Sequence, residues 1–137
     1  MQWTKGEFIL TDELGKLDVE RVCDMLSKTY WADKTPREKI IKSLQKSLCF
    51  SVFHRELQVA FARVVTDEAL FSWIADVIVD DQYRGRGIGK WMMETITNHE
   101  KVKDTKQVLA TRNAHGLYEQ YGFKKSELMR KTPDCFE

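Results

Sequence analysis

Between Ala75 and Lys90 the chain passes from an apolar strand through a glycine-rich turn into an amphipathic helix. No other stretch of its 137 residues narrows the choice of fold as far. The helix after Gly87 carries Ile88, Trp91, Met92, Thr95, Ile96 and His99 on one face. The first turn of a helix leaves backbone N–H groups unpaired, and they point outward with the positive end of the helix dipole. A phosphate or pyrophosphate fits there. Gly85, Gly87 and Gly89 have no Cβ, so a bulky anion can reach the backbone. Arg84, Arg86 and Lys90 add charge, and arginine can hold phosphate oxygens in pairs. No Gly-Lys-Ser/Thr ending follows, so the turn is not a P-loop, and its spacing is not the dinucleotide pattern G-x-G-x-x-G. Taken alone, it reads equally as a turn that needs glycines at positive φ.

The rest of the chain supplies the context. Glu7 to Thr11 reads as a first strand. Val19, Val22, Cys23, Leu26 and Tyr30 mark one helical face, with Asp18 as its N-cap. Thr35-Pro36-Arg37-Glu38 reads as a capping box that opens a second helix, whose apolar face is Ile40, Ile41, Leu44 and Leu48. Strands follow at Cys49 to Phe53, Leu57 to Val65 and Leu70 to Val79, then the helix after Gly87 and a strand at Val108 to Thr111. Asn113 caps a short helix over Ala114 to Tyr121, Gly122 ends it in a left-handed turn, and Phe123 to Met129 is a last strand. The order β-α-α-β-β-β-α-β-α-β places antiparallel strands first and β-α-β units later. That is an α+β fold with a mixed sheet.

Length predicts a single domain over residues 1–137. With 42% hydrophobic and 31% charged residues the chain has enough apolar material for a core and is not disordered by composition. Lys plus Arg is 22 and Asp plus Glu is 21, a net charge of +1, which argues against a nucleic-acid partner gripped through Arg84, Arg86, Lys90 and Lys124-Lys125. No apolar run reaches the ~20 residues of a membrane span, and no signal-peptide pattern opens the sequence. Cys23, Cys49 and Cys135 are few and scattered, which predicts reduced thiols in a cytoplasmic protein. His54, His99 and His115 give no metal-ligand spacing with them, so no metal is expected.

The motif Arg84-Gly85-Arg86-Gly87-Ile88-Gly89 matches the R/Q-x-x-G-x-G/A signature of the GNAT superfamily of N-acetyltransferases. Asn113-Ala114-His115-Gly116-Leu117-Tyr118-Glu119-Gln120-Tyr121-Gly122-Phe123 resembles the family's second signature, in which a Leu-Tyr pair on a helix leads into Tyr-Gly-Phe. The resemblance covers nearly the whole chain. It implies a mostly antiparallel mixed sheet flanked by about four helices, with a central strand pair splayed apart to admit acetyl-CoA. It implies pyrophosphate on the backbone of Arg84, Gly85, Arg86, Gly87, Ile88, Gly89 and Lys90. It further implies a pantetheine arm along Val77, Ile78 and Val79, a contact from Asn113, and direct attack of an amine on the thioester.

The same resemblance makes Tyr118 the residue that protonates the departing sulfur. Its spacing with Ala114, Leu117 and Tyr121 also allows a core position, and Tyr121 reads as structural. Strand alternation puts Asp76 on one face with Ile74 and Ile78, an apolar setting that would raise a carboxyl pKa and suit a general base. Asp76 could instead pair with a buried arginine such as Arg63, and many family members take the proton through water. The resemblance implies a small-molecule or peptide amine as acceptor, its site shaped by Tyr30-Trp31-Ala32-Asp33 and the loops around the last strands. Trp31 and Asp33 could meet it by cation–π and charge, or equally be surface packing and a loop acid. The short chain leaves that site open or completed by a second subunit of a homodimer. A non-catalytic acyl-CoA-binding or sensing module on the same fold is the competing reading.

Overall fold

Hairpins build most of the sheet. The computed structural model describes residues 1–133, with six strands in sequential order across one sheet. Strands β1 (Gln2–Lys5) and β2 (Phe8–Thr11) turn at Gly6-Glu7, where Gly6 has φ +59°. Glycine at the first central position is what a two-residue hairpin of this kind requires. Strands β3 (Leu48–His54) and β4 (Leu57–Thr66) turn at Arg55-Glu56. Before β5 (Phe71–Val79), the Asp67 carboxylate accepts from the N–H groups of Ala69, Leu70 and Phe71 at 2.9, 2.8 and 3.0 Å, which fixes the turn. All these pairs are antiparallel; β6 (Lys106–Val108) alone joins in parallel, against β5.

Helices cover both faces. α1 (Val19–Ser27) and α2 (Arg37–Gln45) bury Val22, Met25, Leu26, Ile40 and Leu44 against Cys49 and Phe61. α3 (Ile88–Asn98) buries Ile88, Met92, Met93 and Ile96 against Phe50, Val52, Ala62 and Val64. Each large apolar side chain so enclosed contributes about 1.5–3 kcal/mol. Among the described residues the mixed, mostly antiparallel sheet carries four helices, α4 (His115–Glu119) being the last of them, and this is the expected α+β class. Asp18 caps α1 as expected, its Oδ1 accepting from Arg21 N–H at 3.1 Å. The buried Gln58 fastens that same end, accepting from Asp18 N–H at 2.9 Å and donating to the Ala60 carbonyl at 3.2 Å. Among the described residues no helix is long and apolar enough to cross a membrane.

Several local expectations are corrected. Thr35 caps nothing: Pro36 is itself the N-cap of α2, and no side chain bonds the helix start. β6 lies two residues earlier than expected, and Asn113 does not cap α4; Ala114 holds that position, its N–H donating to Thr111 Oγ1 at 3.0 Å. Phe123 to Met129 forms no strand. Lys124-Lys125-Ser126-Glu127 offers no apolar alternation to dock, and Leu128 and Met129 are exposed. Cys23 and Cys49 are free thiols, and burial pushes Cys49 up to about 11. Cys135 lies outside the described residues.

Candidate active site

The middle of β5 breaks the ladder. Ala75 pairs with Arg63 and Ile78 with Phe61, so Asp76 and Val77 together stand opposite Ala62. Asp76 takes φ +53°, a left-handed conformation that aspartate tolerates better than most residues. A bulge of this kind shifts side-chain parity by one. Ile74, Val77 and Val79 therefore pack toward α3, while Ile78 packs toward α1 and α2. The apolar setting expected for Asp76 is thereby overturned, since Ile74 and Ile78 lie on opposite faces. Its carboxylate instead accepts from Arg63 Nε at 2.9 Å and from Trp31 Nε1 at 2.8 Å. Arg63 also donates to Ser47 Oγ at 3.2 Å.

Beyond the bulge the sheet opens. β5 and β6 pair over Phe71–Trp73 and Lys106–Val108 only, so the β5 edge past Trp73 has no strand beside it. Chain Leu109 to Ala114 turns away, and a cleft of about 1260 Å³ fills the gap. At one end lies the start of α3. Gly85 and Gly87 adopt φ +79° and +78°, and a Cβ at either would meet nothing within 4 Å. Gly87 caps the helix with no side chain, and the first intrahelical bond runs from Trp91 N–H to the Gly87 carbonyl at 3.0 Å. The N–H groups of Ile88, Gly89 and Lys90 thus precede that bond and face a cradle also lined by Arg84. A diphosphate fits this donor set in charge and geometry.

The loop is anchored from behind. Asp80 accepts from Gln82 N–H at 2.8 Å and pairs with Arg21 of α1. Burial pushes the Asp80 carboxyl up, but the Gln82 N–H and the Arg21 guanidinium outweigh it and hold the group below its ordinary value. Tyr83 Oη meets His54 Nδ1 at 3.0 Å.

Tyr118 lines the same cleft, half-buried, its ring packed edge-on against Phe123 at 6.1 Å. Burial, with a smaller contribution from Tyr30, raises its pKa, so the phenol keeps its proton at neutral pH. Tyr121 donates to the Lys90 carbonyl at 3.3 Å and ties α4 to α3, in keeping with a structural part. Val77, Val79, Arg84, Gly85, Gly87, Ile88, Gly89, Lys90 and Asn113 all line the cleft. Ile78 and Arg86 do not; Arg86 lies over the Tyr83 ring at 4.8 Å. Trp31 lines it, whereas Asp33 and His115 stand outside. Sequence reasoning missed Arg112, whose guanidinium stacks on the Tyr30 ring at 4.0 Å, and the Arg21 anchor. Neither carries a local signal, because each depends on elements distant in sequence.

A strand pair parted above a glycine-rich helix start defines an acyltransferase type of fold, and comparison with known proteins agrees. Residues 45–125 match the family model described as an acetyltransferase (GNAT) domain. A solved structure from Xanthomonas campestris pv. campestris, assigned to GNAT-family acetyltransferases, is 34% identical and superposes with a TM-score of 0.89 over 95% of this chain and 96% of that one. A GNAT acetyltransferase from Elizabethkingia anophelis, solved with acetyl-CoA bound, shares the fold at 17% identity and a TM-score of 0.69, covering 90% and 80% of the two chains. A protein of Gibberella zeae assigned as an acetyltransferase is 24% identical over 114 residues, which is 69% of this chain and 64% of that relative. The chain spans less than two thirds of the curated relatives it matches. The chain belongs to the GNAT acetyltransferase family.

Proposed function

We propose that this protein is an acetyl-CoA-dependent N-acetyltransferase that moves an acetyl group to a primary amine by direct attack on the thioester. One observation carries the reading: the glycine-rich start of α3 and the protonated Tyr118 line one cleft, which begins where β5 and β6 separate. The backbone of Ile88, Gly89 and Lys90 holds the pyrophosphate, and the free β5 edge takes the pantetheine arm as an added strand. Acetyl-CoA supplies an acetyl group activated as a thioester: the amine nitrogen bonds to the carbonyl carbon, the C–S bond breaks, and the products are an amide and the thiol. Val77, which the bulge leaves without a register partner, lines the cleft, and its backbone N–H is the donor we assign to the carbonyl oxygen as it gains charge. Tyr118 gives its proton to the sulfur and recovers one from solvent.

Asp76 holds the bulge rather than acting as base, because both donors it meets already claim its oxygens. The amine's surplus proton leaves through water. The decisive experiment is a screen of primary amines in a thiol-release assay with acetyl-CoA, with product mass confirming the amide. Acceptor-dependent thiol release supports the reading. Tight CoA binding without turnover of any amine would favour the binding or sensing module.

A further inference from the structure

Among the described residues the cleft is lined by one carboxylate, Asp76, and that carboxylate is already matched by Arg63. Arg112 and Arg130 line it too, and neither is ion-paired with a carboxylate among the described residues. Arg112 belongs to the loop after β6 and Tyr30 to the loop after α1, so their stack joins the two banks. Tyr30 lies edge-on to Trp31, ring centroids 5.0 Å apart, and Trp31 reaches Asp76 beside the bulge. The Arg112–Tyr30 stack is distinct from Arg84 and Lys90, which flank the helix start. Among the described residues Arg112 and Arg130 thus bring positive charge to the cleft with no carboxylate paired to them, an arrangement that favours an anionic ligand and disfavours a cationic one.

We propose that the acceptor is a small primary amine carrying an anionic group, a carboxylate or a phosphate, gripped by Arg112 and Arg130. The proposal rests on the acetyltransferase reading and deepens it. It also explains how an acceptor loses its proton with no side-chain base at hand. Cations beside an ammonium favour its neutral form, which is the nucleophile. Guanidinium groups suit the task because they bind carboxylate and phosphate in pairs.

The test uses matched probes with the full chain: O-phosphoethanolamine against ethanolamine, and 4-aminobutyrate against 1-aminobutane. Thiol release is measured with acetyl-CoA, and the melting temperature of CoA-saturated protein with each amine. In at least one pair the anionic member should exceed its neutral partner about tenfold in kcat/KM, or raise the melting temperature where the partner does not. The better pair separates phosphate from carboxylate. Arg112→Gln and Arg130→Gln should each reduce that preference while leaving CoA affinity unchanged. Neutral probes performing as well as anionic ones, with CoA binding intact, would overturn the proposal and spare the acetyltransferase reading. Loss of CoA affinity in both arginine variants would also overturn it, because those residues would then serve the cofactor. Failure of the wild-type protein to bind CoA would overturn both.

Discussion

In the proposed reading Tyr118 protonates the departing sulfur and Asp76 holds the bulge, and the structure gives the two side chains different surroundings. Tyr118 lines the cleft, and burial raises its pKa so that the phenol is protonated. Tyr118→Phe keeps the ring that packs on Phe123, so the fold and acetyl-CoA affinity should persist while kcat falls toward the low end of the ~10²–10⁴-fold range of general acid–base groups. Stopped-flow or steady-state thiol release, with chemistry shown to be limiting, checks it; a wild-type rate would make Tyr118 a packing residue. Because its pKa is raised, any loss of activity from its ionisation should begin only above the ordinary tyrosine range. Asp76→Asn should leave the shape of the pH–rate profile unchanged and lower stability by about 1–3 kcal/mol in urea unfolding, since it weakens charged hydrogen bonds to Arg63 and Trp31. A displaced acid limb with stability intact would restore Asp76 as the base. The Asp76 environment was not legible from alternation, because one inserted residue reverses parity for everything after it. The residue type was a clue: aspartate is among the few side chains that occupy left-handed backbone readily.

At the level of elements, the proposed phosphate site depends on the glycine-rich loop and its anchor as well as on the helix end. Gly87 sits at φ +78° with open space where a Cβ would be. Gly87→Val places a β-branched side chain in strained backbone at the mouth of the cradle, so CoA binding should be lost. Gly87→Ala adds a smaller strain of about 1–2 kcal/mol and should bind more weakly while remaining folded. A folded valine variant with normal affinity would mean the phosphates lie elsewhere. The Arg21–Asp80 pair ties α1 to this loop. The Asp80 pKa is lowered in the folded state, so its contribution to stability is present above the ordinary carboxylate range and lost as pH falls through the folded value. Asp80→Asn should thus lower the melting temperature at pH 7, and the gap to wild type should close under acid conditions; a gap independent of pH would contradict this.

Elements with strong periodicity were readable: α1 with its Asp18 cap, α3 after Gly87, and the long strands β4 and β5 all lie where apolar spacing puts them. β1 escaped notice because only Trp3 is even half-buried along it, although Gly6-Glu7 was a usable turn signal. The strand expected at Phe123 to Met129 does not form, and Phe123 packs instead against Tyr118 and the core.

Across the whole molecule, two cores on opposite faces of one sheet hold β5 rigid from both sides, while β6 pairs with it over three residues only. That asymmetry lets the sheet part without losing its core. The fold and the glycine-rich start of α3 were both legible because they depend on local patterns: glycines at fixed spacing and a helix that starts just after them. The cluster proposed to meet the acceptor was not, because Arg63, Asp76, Trp31, Tyr30 and Arg112 meet only once the sheet and the loops are assembled. The claim that the parted strands form an acetyl-CoA site is tested most directly by calorimetric titration of the wild-type protein with acetyl-CoA, paired with its melting curve. The account predicts saturable binding at one site per chain and, at ligand ~100-fold above Kd, a stabilisation of about 2.7 kcal/mol. Absence of binding heat together with an unmoved melting temperature at millimolar acetyl-CoA, in protein shown to be folded, would contradict it.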